Sequence, residues 1–376
     1  MKSLVARPAD SRRLVVKIGS ALLVDPETRQ IKASWLAALA ADIAALKAGG
    51  RDLLIVSSGA VSVGRQHLGL AEGTLRLAEK QAAAACGQAR LVEAYQSALA
   101  PHALTAAQIL LTIADTEERR RHLNARATLE TLFGLGAVPI VNENDTVTTE
   151  EIRFGDNDRL AARVAQMIGA DLLVLLSDID GLYTADPRKA PDARLIRDVP
   201  RLNDEIDAMA GEPPPGHSSG GMVTKLAAAR IATAAGCAMI IGRGTVDHPL
   251  ALLNQAESAR TLFHPTDTPI RARKRWIAGH VSPKGTLTID AGAAKALAGG
   301  KSLLPAGVTA VGGDFGRGDL VIVLDSNGRQ LARGLAAYDS GDAARIAGHK
   351  SAEIGALLGY SRGDALIHRD DLVLPG

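Results

Sequence analysis

Over roughly the first 265 residues, short runs that are apolar at nearly every position alternate with longer Ala/Leu-rich stretches of helical period. Leu14 to Ile18, Leu53 to Val56, Val138 to Val141, Leu172 to Leu176 and Ala238 to Ile241 read as strands. Continuous apolar runs suit strands covered on both faces. The segments Trp35 to Ala48, Leu75 to Leu99, Asp158 to Ile168 and Met222 to Ala235 are long enough to be the covering helices. The pattern predicts an α/β fold, a three-layer αβα sandwich with a mainly parallel sheet.

After Thr268 the pattern changes. The basic stretch TPIRARKRWIAG has no clear core period and reads as a linker. Beyond it the short runs TLTID, GVTAV and GDLVIVLDSNGRQLARGLA are separated by Gly, Asp and Asn turns. That spacing predicts a small β-rich barrel of about 90 residues. Residues 1–268 and 269–376 are therefore expected to form two domains, as a chain of 376 residues would by size alone.

Composition adds mainly exclusions. Lys and Arg number 43 against 41 Asp and Glu, a net charge of +2, which gives no support for a polyanion partner. The opening MKSLVARPADSRRLVVKIGS lacks an apolar signal core, and no stretch reaches the ~18 apolar residues of a membrane span, so a cytoplasmic protein without a membrane partner is expected. Cys86 and Cys237 lack a second ligand at metal spacing and read as small hydrophobes.

The candidate chemistry gathers after the strands. In open α/β sheets ligands bind beyond the C-terminal strand ends, and there the first strand delivers Lys17 followed by Gly19 and Ser20. SSGAVSVG, Ser57 to Gly64, follows the next strand and opens a helix, so its N–H groups can cradle an anion. NENDTVTTEEIRFGDND then brings Asn142, Asp145, Asp156, Asn157 and Asp158 together, able to bind a zwitterion, organise lysines or hold a metal. Ser177 and Asp178 end a further strand. GHSSGGMVTKLAAARIA runs from a Gly-rich turn into a helix with Lys225 in its first turn. A cation there opposes the helix dipole unless an anion lies nearby, so this placement points to phosphate.

Other patterns fail on context. GHSSG around Ser218 follows prolines rather than a strand, unlike a nucleophile elbow. Asp178-Ile179-Asp180-Gly181 lacks the later glutamate of a calcium loop. No Walker loop and no strand-GxGxxG-helix unit is present.

In order and spacing, VKIGS, SSGAVSVG, NENDTV, FGDNDRLAA, SDIDGLYTADPR and SGGMVTK resemble the amino-acid kinase family, and within it the members that phosphorylate free glutamate. RKRW, SLLPAGV, FGRGD, YDS, IAGHKS and HRDD resemble a C-terminal PUA domain. The resemblance implies ATP and Mg2+ as cofactors, with Lys17 and Lys225 on the phosphates and Asp158 holding both lysines. It implies Ser58, Asp145 and Asn157, with Asn142 and Asp156, around glutamate. Ser177, Asp178, Ser219, Gly220, Gly221, Met222, Val223, Thr224 and Lys225, with Lys17, would bind ATP. Ser177 and Ser219 stand where many relatives carry threonine, which keeps the hydroxyl.

The same resemblance implies inhibition by proline, assembly into dimers or tetramers, and functional coupling to a glutamyl-phosphate reductase. Acetylglutamate, aspartate, carbamate and nucleotides are the alternative acceptors. PUA-like domains also raise RNA binding, but Arg271 to Arg275 is the only compact basic run after Thr268, and nothing beyond weak salt-sensitive binding is expected.

Overall fold

The computed structural model describes residues 6–71, 73–147, 156–210, 221–269, 271–272 and 283–374. Two compact units divide the chain, Met1–Pro269 and Ile270–Gly376.

The first unit is built on eight strands: β1 (Arg13–Ile18), β2 (Asp52–Ser57), β3 (Ala106–Leu111), β4 (Val138–Glu143), β5 (Leu172–Ser177), β8 (Asp198–Val199), β9 (Ala238–Arg243) and β10 (Arg260–Phe263). A small hairpin of β6 (Leu182–Tyr183) and β7 (Leu195–Ile196) stands apart. The sheet order is β3-β4-β2-β1-β5-β9-β10-β8, and every pair is parallel except β9 with β10. The five strands legible in the sequence are the centre of this sheet. The three it adds, β3 on one side and β10 with edge strand β8 on the other, are short or broken by polar residues.

The alternation of strand side chains creates two cores. Leu14, Val16, Ile18, Leu53, Ile55, Leu172 and Val174 face one. Val15, Leu54, Val56, Leu173 and Leu175 face the other. The first is covered by the helices α1 (Ala33–Ala48) and α3 (Leu77–Leu99), the second by α5 (Asp156–Ile168) and α6 (Met222–Ala234). Each fully buried Leu or Ile contributes about 1.5–3 kcal/mol of transfer free energy. Between them in the chain lie α2 (Ala60–His67) and α4 (Arg119–Gly134), the latter absent from the sequence reading because it buries fully only Leu129 and Phe133.

Close packing fixes where α2 begins. A Cβ added to Gly64 would come within 1.7 Å of the Ala83 carbonyl oxygen, and one on Gly87 within 1.8 Å of that of Ala60. Only two glycines let α2 and α3 approach backbone to backbone. The turn from β2 into α2 is thereby pinned beside the end of β1, where Ser58 N–H donates to the Ile18 carbonyl at 3.1 Å.

The second unit carries a five-stranded sheet in the order β12-β11-β13-β14-β15, with β11 (Gly285–Ile289), β12 (Val308–Gly313), β13 (Leu320–Leu324), β14 (Gln330–Leu335) and β15 (Leu372–Val373). Only β11 with β13 is parallel. Its core of Leu287, Ile289, Val321, Val323, Tyr338, Ile346 and Ile367 is its own. Among the described residues no helix is long and apolar enough to cross a membrane.

Candidate active site

Because β1, β2, β4 and β5 run parallel, their C-terminal ends open on one edge, and the polar residues of the site gather there. Lys17 follows Val15 on the face covered by α5 and α6. Its Nζ lies 2.5 Å from Asp158 Oδ1, in the first turn of α5. Lys225, in the first turn of α6, sets its Nζ 3.7 Å from Asp158 Oδ2. Thr224 donates its hydroxyl to the same oxygen at 2.9 Å.

All three charged groups are buried, Lys17 and Lys225 at 8% exposure and Asp158 at 1%. Burial alone would raise the Asp158 pKa, but the Lys17 and Lys225 ammoniums, helped by the Thr224 hydroxyl, hold the carboxyl below its usual range. Among the described residues, one carboxylate thus faces two buried cations. A buried cation without its counter-charge is costly, so the arrangement is suited to an incoming anion. α5 holds Asp158 rigidly, since Leu160, Ala161, Val164, Ala165 and Ile168 behind it are all buried.

Beside the charges lies a neutral cluster. Asn157 Nδ2 donates to Ser58 Oγ at 2.8 Å and lies 3.4 Å from Asn142 Oδ1. Asn142, buried at the end of β4, donates its Nδ2 to Gln88 Oε1 at 3.2 Å and accepts the Glu143 N–H at 2.8 Å. Gln88 Nε2 donates to the Glu143 carbonyl at 3.2 Å. Asp145 is buried in the turn after β4. Ser57 Oγ meets the buried Tyr95 hydroxyl at 2.9 Å, and burial pushes the Tyr95 phenol pKa up.

The structure brings Lys17, Asp158, Thr224 and Lys225 together, and Ser58, Asn142 and Asn157 together. Ser177 is buried at the end of β5 and donates to Asp178 Oδ1 at 3.0 Å, with Asp178 exposed. Gly221 caps α6 and Met222 and Val223 begin it. Ser219 and Gly220 lie outside the described residues, as does the side chain of Asp156 at the start of α5. Gln88 was not singled out in the sequence. Its signal was a polar residue on the buried stripe Ala84, Gln88, Leu91, Tyr95 of α3.

Among the described residues no group of three or more His, Cys, Asp or Glu side chains could hold a metal ion. The residues present fit the phosphates of a nucleotide, through the two ammoniums and the N-terminus of α6, better than they fit a bare cation.

Residues 12–243 match the Amino acid kinase family and residues 285–358 the PUA domain. A relative from Paramagnetospirillum magneticum named Glutamate 5-kinase is 61% identical over 368 residues, covering 98% of this chain and 99% of that one. Glutamate 5-kinase 1 of Rhizobium meliloti is 60% identical over 363 residues, covering 96% of this chain and 92% of that one. A solved carbamate kinase from Giardia lamblia bound to AMP-PNP aligns at TM-score 0.49 and 15% identity, over 68% of this chain and 99% of that one. With a family match spanning both lysines and the aspartate between them, and relatives similar over almost the whole length, the chain belongs to the amino acid kinase family.

Proposed function

We propose that the chain transfers the terminal phosphoryl group of ATP to the γ-carboxylate of free L-glutamate, giving L-glutamyl 5-phosphate for proline synthesis. The observation that carries this reading is the near-full-length likeness to relatives named glutamate 5-kinase. The buried lysines sharing one carboxylate support the chemistry.

A glutamate side chain has an ordinary pKa of about 4.3, so the acceptor is already ionised near neutral pH and needs no general base. What the site must supply is alignment and positive charge around the phosphoryl group in flight. Lys17 and Lys225 supply the charge, Asp158 keeps them in register, and Thr224 fixes the Asp158 oxygen nearer Lys225. Mg2+ accompanying the nucleotide would offset the charge of its phosphates. Ser58, Asn142, Asn157, Asp145 and Asp156 hold glutamate. Ser177, Asp178 and the Ser219 to Lys225 segment hold ATP.

The finer features belong to the same proposal: inhibition by proline at the glutamate site, a dimer or tetramer, hand-over of the labile acyl phosphate to a reductase, and a cytoplasmic location. Residues 1–268 are proposed as the catalytic domain and 269–376 as linker and PUA domain, with no RNA affinity beyond weak salt-sensitive binding.

The test is to incubate the protein with MgATP, glutamate and hydroxylamine, which traps an acyl phosphate as its hydroxamate. Acetylglutamate, aspartate and carbamate run in parallel. Hydroxamate that depends on glutamate and falls with proline is the expected result; turnover of another acceptor alone would keep the lysines' roles and reassign the substrate.

A further inference from the structure

We propose that Gln88, on α3, is a positioning residue that turns the Asn157 carbonyl into an acceptor for the α-ammonium of the substrate. This rests on the reading of glutamate as the acceptor.

The orientation of the cluster is dictated by two backbone groups of one residue. The Glu143 carbonyl can only accept, so Gln88 must present Nε2 to it, at 3.2 Å. That leaves Gln88 Oε1 facing Asn142 Nδ2, at 3.2 Å. Gln108 Nε2 also approaches Oε1, at 3.4 Å, which favours the same rotamer. The Glu143 N–H can only donate, so Asn142 presents Oδ1 to it, at 2.8 Å. Both ends of the Asn142 amide are therefore fixed, and both fixings agree.

Asn157 inherits this polarity. With Asn142 Oδ1 on one side, Asn157 must turn its Nδ2 there and toward Ser58 Oγ. The opposite orientation would set two carbonyl oxygens against each other. Asn157 Oδ1 is left buried with no hydrogen-bond donor among the described residues. A buried acceptor without a donor is costly, and in a binding site it is satisfied by what binds. The donor that a free amino acid brings, and a dicarboxylic acid such as glutarate does not, is an ammonium. Asn157 touches the substrate in this scheme, and Gln88 acts through Asn142.

The experiment compares wild type, Gln88→Met and Gln88→Glu, using glutamate as substrate and glutarate, which has no ammonium, as competitive inhibitor. Gln88→Met removes one of the two bonds that orient the Asn142 amide and leaves the Glu143 N–H as the other. It should raise the glutamate KM by up to about tenfold, the scale of a weakened hydrogen bond to a charged group, and leave the ATP KM unchanged. The glutarate inhibition constant should change by less than about threefold, as it never used that bond.

Gln88→Glu keeps the shape and adds a pH readout that a packing role would not give. Its protonated carboxyl can donate to the Glu143 carbonyl and accept from Asn142, restoring the native polarity, whereas its ionised form cannot donate. Burial favours the neutral form, so the glutamate KM should lie near wild type at pH 6 and climb relative to wild type by pH 8. Equal shifts for glutamate and glutarate, or a Gln88→Glu profile parallel to wild type, would overturn the proposal. If Gln88→Met does not fold, the Gln88→Glu profile alone decides. Wild type that turns over no glutamate would instead sink the substrate reading, and that is seen before any variant is made.

Discussion

Strand β1 carries a buried cation near each end, and the two are balanced in opposite ways. At its start Arg13 pairs with Asp52 at 2.9 Å and Glu130 at 2.7 Å, donates to the Ile168 carbonyl at 2.5 Å and lies over the Phe133 ring. Arg13 there meets two carboxylates, and Arg126 Nε lies 3.8 Å from Glu130 as well. Near its end Lys17 shares Asp158 with Lys225, two cations on one carboxylate among the described residues. Full compensation marks a group whose partners are all in the fold, and shortage of counter-charge marks one whose partner arrives from outside. The same strand thus has a structural end and a chemical end, told apart by counting charges.

The widest separation should come from removing one cation at each end. Lys225→Ala should lower kcat at least about 100-fold, because the lost charge matters most in the transition state. Its thermal stability should hold or rise, since Lys17 and Asp158 remain as a balanced pair. A near-normal rate would take Lys225 out of the mechanism. Arg13→Met should do the reverse, costing about 2 kcal/mol of stability by leaving Asp52 and Glu130 facing each other, with kcat within about threefold of wild type. Denaturant unfolding and steady-state kinetics on the same samples check both. If Arg13→Met proved inactive yet stable, the charge-counting distinction would fail.

A smaller effect separates the charged and neutral parts of the site. Asp145→Ala should raise the glutamate KM about tenfold while leaving the ATP KM within about twofold. Equal rises in both would mean that Asp145 serves the architecture of the edge rather than the acceptor.

How much of this could be read in the sequence follows the same physics. The central strands were legible because burial on both faces forces apolar residues at every position, as in LLVLL of β5. Edge strand β3, AAQILL, has only Leu111 fully buried, so its run is interrupted by Gln108, and antiparallel β10 is only four residues long. Lys17, Asp158 and Lys225 stood out because turns after strands and first turns of helices are where charge meets ligands. That one carboxylate reaches both lysines depends on α5 and α6 packing side by side, which no local pattern records. Gln88 was hidden for the opposite reason: it sits mid-helix among alanines, and only the contact with Glu143 across the core gives it meaning.

The smallest effect tests the compensation at the chemical end directly, through pH. The Asp158 carboxyl is held below its ordinary value of 3.8 in the folded protein: burial pushes it up, and Lys17 and Lys225 override that. On unfolding it returns to the ordinary value, so in acid the unfolded chain takes up the proton first and the folded state loses stability. The stability advantage of wild type over Asp158→Asn should therefore be constant from pH 7 to about 5 and shrink as pH falls through the carboxylate range. Urea unfolding of both proteins between pH 7 and pH 3 measures it. An advantage that widened in acid would mean burial has won over the lysines, leaving Asp158 unable to hold them in register.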